Sequence, residues 1–168
     1  MFQSISLGAS DTQKDSHYQD VIARIKALLE QETDWVAAMA TVSCELHHSF
    51  GYFHWTGFYR TVAKELLKVG PYQGGHGCLV IPFQRGVCGA AARTQEVQVI
   101  DDVNAIADHI ACSSTTQSEI VLPIIDKQGQ TQAVLDVDSD DPAAFTSADA
   151  KNLGTLIKYL EDKFFSDS

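Results

Sequence analysis

From Thr131 to Asp138 the chain runs TQAVLDVD, and this alternation restricts the fold more than any other stretch. Side chains on a strand alternate faces, so Ala133, Leu135 and Val137 share one side while Asp136 and Asp138 share the other. Upstream, Ser118–Ile125 is a second extended apolar run, and Lys127-Gln128-Gly129 supplies turn chemistry between them. The two runs are expected to form a hairpin. Its register has two solutions. A connecting loop of two or four residues sets Glu119 opposite Asp138 on the same face, whereas three residues set it opposite Val137. Only the first brings three carboxylates together.

Helical periods flank this hairpin region. Residues 1–15 show no periodic pattern and are expected to form a flexible tail. Ser16 precedes Gln19 at capping-box spacing, and Tyr18, Val21, Ile22, Ile25, Leu28 and Leu29 follow as one apolar stripe. Thr33 or Asp34 can cap a second helix with Trp35, Met39, Val42, Leu46 and Phe50 on its apolar face, and Cys44 inside it reads as packing. After Gly51 the pattern becomes extended. Tyr52–Thr61 is an aromatic-rich strand, and Glu65–Val69 is its partner, ending in a Gly70–Pro71 turn. The loop Gly74–Gly77 leads through Cys78 into Leu79–Phe83, and no Walker-type lysine follows it. Gly86–Gln95 is a short helix of small residues with Cys88 near its start, where a helix N-terminus lowers a thiol's pKa. Val97–Asp101 is a short strand, and Thr146 with Asp149 opens a C-terminal helix. Helices segregated at the ends of an antiparallel sheet define an α+β fold over residues 16–168, with the terminal helices on one face.

Composition narrows the partners. A formal charge of −10 disfavours nucleic acid and anionic membrane. No apolar run approaches the ~20 residues of a membrane span, and MFQSISLGAS lacks the features of a secretory signal, so a cytoplasmic location is expected. None of the four cysteines forms a CxxC pair, which argues against a structural zinc site. A reducing cytosol argues against a permanent disulfide framework. No metal and no cofactor is expected.

The stretch Asp108–Glu119, DHIACSSTTQSE, is a polar loop with Cys112 in its middle. Free cysteine normally behaves as a small buried hydrophobe, so a cysteine in such a loop points to a reactive thiol. Three carboxylates beside it would form an anionic pocket suited to an α-ammonium group. Crowding would also raise at least one carboxyl pKa and keep a proton for general-acid work. Nearby anions oppose a thiolate, and either the loop's backbone N–H groups or His109 could offset them. The simpler reading makes Asp136 and Asp138 an exposed strand face and Trp55 and Tyr59 core aromatics.

Taken together, HWTGFYR (His54–Arg60), GPYQG (Gly70–Gly74), IPFQRGVCGAAA (Ile81–Ala92), HIACSSTTQSEIVLPI (His109–Ile124) and AVLDVDS (Ala133–Ser139) resemble the free methionine-(R)-sulfoxide reductases, single GAF-domain enzymes. The resemblance runs from about Asp34 to the C-terminus. It implies a GAF-like fold and thiol-dependent reduction of free L-methionine (R)-sulfoxide. By the resemblance, Cys112 is the cysteine that attacks the sulfoxide sulfur and becomes a sulfenic acid. Cys78 is its disulfide partner, and Cys88 a third cysteine that takes part in resolving or recycling. Glu119, Asp136 and Asp138 hold the substrate and assist oxygen protonation, and Trp55 and Tyr59 line its methyl-sulfinyl end. Thioredoxin is the implied reductant, and family members are commonly homodimers. Ser113 and Gln117 stand where many members carry Asp and Arg, and Gln84 replaces a common Gly. The rival expectation is a GAF module that binds a small molecule or senses redox state without catalysis.

Overall fold

The computed structural model describes residues 2–166. Helices α1 (Asp11–Leu28) and α2 (Trp35–Ser49) come first, and strands β1 (Trp55–Ala63), β2 (Leu66–Gln73) and β3 (Val80–Pro82) follow. Helix α3 (Gly86–Thr94), strand β4 (Gln98–Ile100) and a 3-10 turn at Val103–Ala105 precede the hairpin of β5 (Ser118–Ile125) and β6 (Thr131–Ser139). Helix α4 (Ser147–Phe164) closes the chain. All strand pairs are antiparallel, in the order β3-β2-β1-β6-β5-β4.

The alternation along β6 divides the molecule as expected. Ala133, Leu135 and Val137 join Phe58, Ile120, Leu122 and Ile124 in the larger core, against α1, α2 and α4. Val134 and Val121 face the other way, into a smaller cluster with Trp55, Tyr59, Leu67 and the buried face of α3. The terminal helices therefore cover one face. The opposite face, under α3 and the long loop after β4, holds the site.

Helix α2 starts where the sequence places it, with the Asp34 carboxylate accepting from the N–H groups of Val36 and Ala37. Helix α1 starts earlier than expected. Its capping box is Ser10–Gln13, the same spacing six residues upstream of Ser16–Gln19. The segment assigned to a tail is therefore docked. Ile5 bridges to Phe50, and Lys14 is 1% exposed. Lys14 Nζ lies 2.7 Å from Asp149 on α4, whose carboxylate also accepts from Tyr18, Tyr52 and the Thr146 N–H. A buried cation with a buried partner leaves no apolar signature, so a reading based on hydrophobic period passes over it. Leu28, counted in the apolar stripe, is exposed, because the stripe turns away at the helix end.

Strand β2 also departs from expectation. It continues through Gly70–Pro71 to Gln73, and one of the two register shifts against β1 lies at this point. Strand β3 pairs only with Leu66–Lys68, so Pro71 sits where no strand requires its missing N–H. Gly-Pro here makes an irregularity in a strand rather than a turn. Cys44 is partly exposed rather than packed, with Sγ 3.8 Å from His48 Nδ1 one helical turn on.

Candidate active site

The hairpin register decides the site. Glu119 pairs with Asp138, and Val121 with Asp136. The connection spans residues 126–130, an odd length that by itself would misalign the carboxylates. A register shift between Ile124 and Ile125 restores the parity, because Ile125 faces Thr131 while Ile124 faces Ala133. Gln132 is thus the extra residue of a bulge, and it returns Glu119 to the face of Asp136 and Asp138.

These acids line a cavity with Trp55 and Tyr59 from β1, Cys88 from α3, and His109 and Cys112 from the long loop. About 30 Å³ of it is open to the centre of a water-sized sphere, room for about two waters. The Trp55 indole N–H donates to the Gly75 carbonyl at 2.9 Å, and its ring stacks on Tyr59 and Tyr72. Cys112 is joined to Cys78 in a disulfide with Cα atoms 5.2 Å apart, which ties the long loop to the start of β3. Helix α3 lies close because Gly89 faces bare backbone: a Cβ there would meet the carbonyl oxygens of Pro82 and Phe83 at 2.7 Å.

Burial sets the electrostatics. Glu119 is 5% exposed, and desolvation, with the Asp138 charge second, raises its pKa to about 8. Asp136 is raised well above the usual carboxylate range by burial and then by Glu119. One of its oxygens, Oδ1, is buried without a partner among the described residues. Half-buried Asp138 is raised by desolvation, then by Asp136 and Asp140. Near neutral pH the cavity therefore holds protons rather than three full negative charges: the raised carboxyl expected from the sequence is present, with burial as its larger cause, while the strongly anionic pocket is not. Burial and then the Asp136 charge also raise the Tyr59 hydroxyl.

The position of Cys88 at the start of α3 led to an expectation of a lowered pKa, and the opposite holds. Its thiol is 4% exposed and pushed up by burial, then by Asp136 and Glu119. It is not part of the disulfide, and its S–H donates to Glu119 Oε1 at 3.9 Å. Desolvation outweighs a short helix's dipole here. Cys88 Sγ, Glu119 and Asp136 converge within 4.8 Å, but their protonation describes a proton-sharing cluster better than a metal centre. His109 faces Glu119 rather than a free thiolate, with Nε2 3.5 Å from Oε2.

Of the site residues taken from the sequence, all but Cys78 border this cavity, and Cys78 is tied to it through its disulfide with Cys112. His76, Gly77, Ile81, Ile110 and Thr116 also line it and were not anticipated. The one signal for His76 and Gly77 was their place in the Gly-rich stretch just before Cys78.

Comparison with known proteins fits this geometry. Residues 32–161 match the GAF domain family. Protein YtsP of Bacillus subtilis is 44% identical over 152 residues, covering 88% of this chain and 91% of that protein. The free methionine-R-sulfoxide reductase of Escherichia coli is 39% identical, covering 88% of each chain. The X-ray structure of free methionine-R-sulfoxide reductase from Neisseria meningitidis in complex with its substrate superposes with a TM-score of 0.87 at 42% identity, covering 98% of this chain and 96% of that one. The chain belongs to the free methionine-R-sulfoxide reductase family of GAF-domain proteins. No helix among the described residues is long and apolar enough to cross a membrane.

Proposed function

We propose that the protein reduces free L-methionine (R)-sulfoxide to methionine at the cavity between Cys112 and Glu119. The observation that carries this reading is a Cys78–Cys112 disulfide at a cavity that also holds a carboxyl protonated near neutral pH. In the reduced enzyme the Cys112 thiolate attacks the sulfoxide sulfur. The oxygen takes a proton from Glu119, methionine leaves as the thioether, and Cys112 keeps the hydroxyl as a sulfenic acid. The two electrons gained by the substrate sulfur come from Cys112. Cys78 then attacks the sulfenic acid, forming the disulfide and releasing water. Thioredoxin supplies the two thiols that reopen it.

Trp55 and Tyr59 offer an apolar wall for the methyl-sulfinyl end. Asp136, with its unpartnered oxygen, and Asp138 offer acceptors to the polar groups of the substrate. Cys88 assists by donating to Glu119, and resolving falls to Cys78 because Cys88 is buried beside the acids.

The test is turnover of the (R)-sulfoxide with thioredoxin or dithiothreitol. Cys112→Ser is expected to abolish it, and Cys78→Ser to slow thioredoxin-coupled cycling while still forming one methionine per chain. An active Cys112→Ser variant refutes the reading. Saturable sulfoxide binding without methionine release under reducing conditions would instead mark a binding or sensing module.

A further inference from the structure

Glu119 has two oxygens and two close neighbours. Oε1 faces Cys88 Sγ at 3.9 Å, and Oε2 faces His109 Nε2 at 3.5 Å. The first neighbour belongs to a buried thiol. The second belongs to an imidazole whose side chain is 15% exposed, on the loop that also carries Cys112. If Glu119 protonates the sulfoxide oxygen as proposed above, it ends each cycle as a buried carboxylate and must recover a proton before the next.

The proton balance is closed but not local. Reduction of the disulfide by a dithiol returns Cys112 as S–H, and its ionisation to the attacking thiolate releases one proton. Glu119 needs one proton. Something must connect a buried carboxylate with the place where protons are exchanged. We propose that His109 is this connection: it passes a proton from Nε2 to Glu119 Oε2 while Nδ1 takes one from solvent.

Other titratable groups facing the pair are poorer carriers. Cys88 on α3 and Tyr59 on β1 are buried and hold their protons more tightly than a carboxyl. Asp136 on β6 is buried beside them, and half-buried Asp138, its neighbour on that strand, is the rival route. His76 lines the same cavity from the loop after β2, without a contact to Glu119 inside 4.0 Å. Asp108 adjoins His109 on its own loop and favours its charged form, but less than desolvation opposes it. Burial therefore makes the imidazolium a stronger acid while it makes Glu119 a stronger base, so transfer from one to the other runs downhill.

The inference rests on the proposed reductase activity, and one kinetic experiment separates the two. Pre-reduced enzyme is mixed with excess sulfoxide and dithiothreitol, and methionine is quantified from the first turnover onward. Glu119 starts protonated, so His109→Ala should release its first equivalent of methionine in a burst that outruns its own later turnovers. It should then settle to a steady state slower by about 10²-fold, the lower end of general acid–base effects. Free imidazole should restore that steady state, but not in a variant that also carries Glu119→Gln. A structural defect would slow the first turnover as well and would not respond to imidazole. His109→Gln, which keeps a polar side chain but cannot relay, should show the same burst and serves if the alanine variant fails to fold. Wild-type cycling by either variant, or an imidazole-insensitive loss, overturns the relay alone. A wild-type enzyme that releases no methionine overturns the activity and the relay together.

Discussion

Replacing Glu119 by Gln should make the protein more stable and inactive, and both effects follow from one raised pKa. The folded state holds the Glu119 proton up to about pH 8, against 4.5 for an unperturbed side chain. Between those values the folded chain binds more protons than the unfolded one, so the Glu119 contribution to stability falls as pH rises. At 1.36 kcal/mol per decade the ceiling on this penalty is about 3 kcal/mol at pH 7 and about 5 kcal/mol above pH 8. Asp136 and Asp138 titrate with Glu119, so removing its charge lets a neighbour ionise more easily and returns part of the gain. The expected net stabilisation of Glu119→Gln is therefore about 1–3 kcal/mol at pH 8 and near zero at pH 4. Urea denaturation of the oxidised protein at both pH values measures it. In the same variant, loss of the general acid should lower turnover by roughly 10²–10⁴-fold. A stability difference that does not change between pH 4 and pH 8, or that grows toward pH 4, refutes the reasoning.

Other expected outcomes follow from the packing. Lys14→Met should destabilise the fold by about 3 kcal/mol or more in urea melts, because it strands the buried Asp149 carboxylate. Adding Asp149→Leu to it should recover part of the loss. Gly77→Ala should raise KM for the sulfoxide by about tenfold or more while leaving the disulfide intact, since its Cβ would lie 2.8 Å from the Trp55 ring and 3.0 Å from the Tyr59 hydroxyl. Gly89→Ala should cost roughly 1–3 kcal/mol by pressing α3 off the backbone of Pro82 and Phe83, with the melting temperature as the readout.

Much of this molecule is legible along the chain because its signals are local. The cap at Asp34, the alternation from Ala133 to Asp138 and the small residues of α3 each act within a few positions. The motifs around Cys78, Cys88 and Cys112 named residues that the fold brings near one another, without showing how they meet. The misplaced start of α1 has a local cause too, since two Ser-x-x-Gln spacings compete and only the upstream one is used.

The remaining decisions join residues far apart in the chain. Lys14 is buried because Asp149, 135 positions away, receives it. Cys78 and Cys112 pair across 34 positions because β3 and the long loop meet over the same sheet face. The bulge at Gln132 sets Glu119 beside Asp138, and a single step in register would turn Glu119 toward the opposite core. Period and capping state which faces a segment owns. Desolvation, which keeps Cys88 a thiol and Glu119 a protonated acid, belongs to no segment and arises only when the faces close on one another.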